Sequence, residues 1–125
     1  MLQEDTLKIF LVTPKYEENY RMRTLYFEIN GQTLRKIDNF SGIIKGSKQY
    51  LKCHFTVKDS EWTGMGMVAV FENSDDSYAV AVQKDGSCMV PDEVTDGSYF
   101  KVSVVGVSGK NKKITTNKEL INQGG

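Results

Sequence analysis

Apolar and polar residues alternate along most of this chain, and no window holds apolar residues at helical spacing, so the pattern predicts consecutive short strands. Leu7, Ile9 and Leu11 alternate with Lys8 in a first strand, which Pro14 ends because it has no N–H for a ladder. Lys15 to Tyr20 is a polar connection. Leu25, Phe27 and Ile29 then point one way, and Thr24, Tyr26 and Glu28 the other. Asn30-Gly31 follows, two residues that tolerate the positive φ of a type I′ hairpin turn, so Thr33 to Ile37 is expected to pair back on Thr24 to Ile29. Phe40 to Ile44, with Gly42 inside it and Gly46 just after it, reads either as a separate strand or as a bulged continuation of the one before. In Tyr50 to Val57, Leu51, Cys53, Phe55 and Val57 face inward while Lys52, His54 and Thr56 face outward.

The loop Lys58 to Gly64 carries Trp62, which is expected to tuck over one end of the core. Beyond it the chain reads as a meander. Met67 to Glu72 and Ser77 to Gln83 are joined by Asn73-Ser74-Asp75-Asp76, whose side chains can bend the backbone through their own hydrogen bonds. Asp85-Gly86 turns the chain into Ser87 to Val90, and Pro91 stops that strand. Phe100, Val102 and Val104 alternate with Lys101 and Ser103, and Ser108-Gly109-Lys110-Asn111 leads into Lys113 to Asn117. The expected fold is all-β: an Ig-like or related antiparallel β-sandwich of about eight or nine short strands, with turns every eight to twelve residues. Residues 1–119 form the one domain and residues 120–125 a tail or the start of a linker. Phe71, Tyr78 and Phe100 join Trp62 as its structural residues.

With 125 residues, 39% of them apolar, the chain can close one core without a metal or disulfide staple. Its acidic first residues do not read as a secretory signal, and no apolar run approaches the length of a membrane span, so Cys53 and Cys88 are expected as buried thiols. Sixteen basic and sixteen acidic residues cancel, which does not suit a nucleic-acid coat. The charge is nevertheless segregated. Residues 59–96 hold nine acids and one base, whereas residues 1–58 and 101–125 are each net basic. One reading is acidic turns that simply solvate a face; the other is complementary docking, with Asp75 and Asp76 on one surface and Lys110, Lys112 and Lys113 on another.

Candidate chemistry is sparse. The one histidine, His54, adjoins Cys53, but neighbours on a strand project to opposite faces, so a Cys-His dyad is excluded there. One His and two distant Cys fall short of a zinc site, and Asp75-Asp76 with Asp85 lack the spacing of a calcium loop. Gly64-Met65-Gly66 has neither the following Lys-Ser/Thr nor the helix of a phosphate loop. The basic turn at Lys110 lacks the interleaved aromatics of a nucleic-acid platform. Tyr16, Tyr20, Tyr26 and Tyr50 suit either a sugar platform or strand packing, with Tyr26 and Tyr50 as a cross-strand pair. No catalytic residue, metal or cofactor is assigned.

A series of pieces runs through the second half in order: Asp59-Ser60-Glu61-Trp62-Thr63-Gly64, Val68-Ala69-Val70-Phe71, Tyr78-Ala79-Val80, Cys88-Met89-Val90-Pro91-Asp92-Glu93-Val94, Phe100-Lys101-Val102-Ser103-Val104-Val105-Gly106-Val107 and Ile114-Thr115-Thr116-Asn117. In this series Tyr50 to Asn117 resembles the amino-terminal β-sandwich domain of tail-fibre, baseplate and minor structural proteins of bacteriophages and prophages of Gram-positive bacteria; residues 1–49 match only loosely. The resemblance implies a non-catalytic virion structural protein, made in the bacterial cytoplasm without a signal peptide and placed in the tail. Its implied partners are other tail or baseplate proteins, and further copies of itself in a trimer or hexamer, with neither nucleic acid nor membrane. In that family a longer stalk or receptor-binding region follows the domain, so this chain is expected as a stand-alone relative or as the leading piece of something longer. Two other readings are a carbohydrate-binding module for cell-wall sugars and a small phage-encoded binder of a host protein.

Overall fold

The computed structural model describes residues 22–109 and 111–125. The expected strand at Leu7 to Leu11, the connection at Lys15 to Tyr20, and Lys110 lie outside them. Alternation in Arg23–Asn30 (β1) puts Leu25, Phe27 and Ile29 in the core, and Thr33–Ile37 (β2) folds back on it with Asn30 opposite Thr33. The two turn residues are Gly31 and Gln32, and only Gly31 has positive φ, +60°. The turn therefore has positive φ at its first position only, the II′ pattern, where Asn30-Gly31 suggested I′.

Phe40 to Ile44 forms no strand. Gly42 (φ +72°) and Gly46 (φ +94°) bend it into an arch that buries Ile43 and sets the Phe40 ring 5.3 Å from Phe27. Leu51–Val57 (β3) then runs parallel to β1, Arg23 facing Leu51 and Ile29 facing Val57. Gly66–Glu72 (β4) and Ser77–Ala81 (β5) pair antiparallel through a turn in which Asn73 Oδ1 accepts from the N–H groups of Asp75 and Asp76.

The meander ends at this point. Ser87–Met89 (β6) pairs with β3 in the other sheet and not with β5. The chain changes sheets at Lys84-Asp85-Gly86, where Gly86 has φ +92° and a Cβ would stand 2.6 Å from the Phe55 carbonyl oxygen. Tyr99–Val107 (β7) pairs with β4 on one side. On its other side lie Lys113–Thr115 (β8) near its end and Glu119–Asn122 (β9) near its start. Ser103, an expected outward position, is buried beside Val70 of β4. The stretch 120–125 carries most of β9, the buried Ile121 and Gln123, and a bridge from Gly124 to Ile44.

The result is an all-β sandwich of nine strands among the described residues: β2-β1-β3-β6 against β5-β4-β7-β8, with β9 also on β7. Among these strands all pairings are antiparallel except β1 with β3. Phe27 stacks on Phe55 at 5.2 Å, and Phe71 lies 6.2 Å from Phe100, so the aromatic core spans both layers. Cys53 and Cys88, far apart in sequence, are cross-strand neighbours and both free thiols.

Candidate interaction surfaces

Trp62 closes one end of the sandwich. The short 3-10 turn Ser60–Trp62 buries its indole, and Nε1–H donates to the Gly31 carbonyl at 2.9 Å. Gly106 of β7 makes room for the ring, since a Cβ there would lie 2.6 Å from Cζ3. Asp59 accepts from the Gly31 N–H, so the β1–β2 turn and the loop before β4 hold each other.

A one-residue bulge separates β8 from β9. Val105 faces Thr115, whereas Val102 faces Glu119, so two residues of β7 oppose three of the other strand. Thr116 fills the bulge: its N–H donates to the Val104 carbonyl at 3.0 Å, and its Oγ1 accepts from the Val104 N–H at 2.9 Å. The extra residue turns Asn117 toward the other sheet. Its Oδ1 accepts from the Leu34 N–H at 2.7 Å and its Nδ2 donates to the Leu34 carbonyl at 3.1 Å, as a strand residue would. Gln32 and Lys36 add donations to the carbonyls of Thr115 and Leu120.

Asp75 and Asp76 are exposed in the β4–β5 turn, and Lys112 and Lys113 in and after the β7–β8 turn. These turns sit at opposite ends of the same sheet: Glu72, before the acidic turn, faces Lys101, and Gly66 faces Val107, before the basic one. The seven residues of β4 separate them by roughly 20 Å, so the two charge groups do not meet within one molecule. Tyr78 stands beside the acidic turn. Partial burial pushes its phenol above the ordinary value, and Asp76, Glu93 and Asp75 add to the effect. Asp85 lies past the other end of β5; its Oδ1 accepts from the Ser87 hydroxyl at 2.7 Å and from the Ser87 N–H at 3.0 Å, and these bonds hold its carboxyl low.

Cys53 is buried, and its thiol is pushed well up, first by burial and then by a hydrogen bond with Cys88. His54 faces outward, its ring 5.8 Å from Tyr26. Tyr26 (41% exposed) and Tyr50 (44%) are open on the same sheet, but β1 sets Tyr26 opposite Ile37 and His54, so the tyrosines are not the expected cross-strand pair. Tyr16 and Tyr20 lie outside the described residues.

No helix among the described residues is long and apolar enough to cross a membrane. No protein-family model, curated protein or solved structure matches the chain.

What sequence reading missed is the set of edge devices, Asn117 above all. Its only signal was a polar residue at the end of an apparent strand, which reads as a turn.

Proposed function

We propose that this chain is a non-catalytic virion structural protein, an assembly or attachment domain of a phage or prophage tail or baseplate. The observation that carries the reading is where the resembling series falls. Its scattered pieces serve one connected framework: Trp62 seated on Gly106, Phe71 against Phe100, Cys88 against Cys53, and Thr116-Asn117 tying one sheet to the other. The resembling pieces thus belong to one folded unit, as a shared domain requires. Around this framework, the two opposed charged turns suit contact between neighbouring molecules. The partners in this reading are other tail or baseplate proteins and further copies of the chain.

The test is immunogold labelling of virions released by the bacterium that encodes the chain. Label on the tail or its tip is the expected result; virions that carry none overturn the reading. A second reading, a module for cell-wall sugars, rests on the two exposed tyrosines, Tyr26 and Tyr50. It predicts quenching of tyrosine fluorescence by cell-wall oligosaccharides, lost in Tyr26→Ala and Tyr50→Ala.

A further inference from the structure

A two-layer sandwich has four sheet edges, and here they are treated differently. The edges at β2 and at β8 and β9 are tied to each other by Asn117, Gln32 and Lys36. At β6, the Ser87 N–H donates to Asp85, and its carbonyl accepts from the Gln83 N–H at 2.9 Å. The fourth edge is β5.

The direction of its backbone groups follows from two bonds. Val82 donates to the Met67 carbonyl at 2.9 Å, and Asn73 donates to the Asp76 carbonyl at 3.0 Å. Because opposed pairs alternate, residues 76, 78, 80 and 82 turn toward β4, and Ser77, Ala79 and Ala81 turn their N–H and C=O groups outward. No strand among the described residues pairs on that side. From Ser77 to Gln83 the edge has no charge, no proline and no bulge, the devices that discourage pairing between chains. Its side chains toward solvent are small, Ser77, Ala79 and Ala81, while Tyr78 and Val80 are half-buried.

We propose that β5 pairs antiparallel with β5 of a second copy, across a two-fold axis at Ala79, joining two sheets into one. In that register Ser77 faces Ala81 of the second copy and Ala79 faces Ala79, so all three outward residues of each strand meet outward residues. Tyr78 then stands opposite Val80 of the second copy, an aromatic and β-branched pair that extends the apolar face. Charge selects the same arrangement. Asp75 and Asp76 precede β5, and Lys84, the one base in the acidic segment 59–96, follows it. Antiparallel pairing brings each Lys84 toward the other copy's acidic turn, whereas parallel pairing would set acid beside acid. The inference rests on the assembly reading only in taking a copy of this chain as the partner. A two-fold contact gives a dimer, or a hexamer built of three pairs, and never a strict trimer.

The experiment measures the mass of the full chain by sedimentation and light scattering across concentration, for wild type, Ala79→Pro and two cysteine variants. Ala79→Pro removes an N–H that points away from β4, so it is expected to leave the circular dichroism spectrum unchanged and to weaken the dimer at least tenfold. Ala79→Cys is expected to cross-link as a dimer with a short bis-maleimide, each thiol adding to one maleimide, and Ser77→Cys, which faces Ala81, to stay largely uncrosslinked. A wild type that is monomeric at every concentration, a strict trimer, a folded Ala79→Pro that dimerises as before, or equal cross-linking at positions 77 and 79 overturns the proposal. If Ala79→Pro unfolds, the cysteine variants decide alone. Virion labelling is independent of all these outcomes, so failure here leaves the tail reading to its own test.

Discussion

At the scale of the residue, a few positions carry more of the architecture than their neighbours. Gly106 is one, because it is the floor under Trp62. Gly106→Ala is expected to destabilise the fold by about 1–3 kcal/mol, the range for overpacking a filled site, since the ring cannot retreat without losing its bond to the Gly31 carbonyl and the β7 backbone is held between β4 and β8. Urea unfolding would measure it, with Trp62 fluorescence reporting displacement of the ring. Asp92 governs a response to pH. It accepts from the Gln49 side chain at 3.0 Å and from the Gln49 N–H at 2.9 Å, and these two bonds hold its carboxyl below the ordinary 3.8. A lowered folded-state pKa gives stability that is present above the unfolded value and lost as pH falls through the folded one. Urea midpoints should therefore drop as pH falls below the ordinary carboxylate range, and Asp92→Asn should flatten part of that slope.

At the scale of the element, strands were legible and so were the partners within the two hairpins, β1 with β2 and β4 with β5, while the partners beyond a hairpin were not. Alternation located Thr33–Ile37, Leu51–Val57 and Ser77–Ala81 within a residue or two, because a half-buried strand stamps a period of two on its own sequence. It says nothing about what lies beside it. Ser87–Met89 looked like the next turn of a meander, yet Gly86 lets it cross to the other layer and pair with β3. Glu119–Asn122 was missed because four residues with acid and amide at their ends show too little alternation to stand apart from a tail. The candidate surface was legible as charge but not as geometry: counting acids picked out segment 59–96, while the open edge became visible only once the pairing was known. Asn117 shows how such an edge is sealed. Asn117→Ala would leave the N–H and carbonyl of Leu34 without their partners, and should cost about 1–3 kcal/mol. Hydrogen exchange at the Leu34 amide, slow in the parent chain, should become fast in the variant.

At the scale of the whole molecule, the described chain enters and leaves at one pole. Arg23 starts β1 beside Tyr50 and the arch at Ser41, and Gly124 pairs with Ile43 and Ile44 of that same arch. The first and last strands belong to opposite layers and share no ladder. This placement decides how the protein answers a pull. A load drawn between residues 23 and 125 separates β9 from β7 and β1 from its neighbours starting at the loaded pole, so rungs open one after another like a zip. Single-molecule stretching through those two points should give low rupture forces. Attachment at residues 23 and 107, which loads the strands along their length from opposite poles, should make many rungs fail together at markedly higher force. Anything tethered at the first pole would meet a spring that yields early, while the opposite pole, held by Trp62, stays stiff.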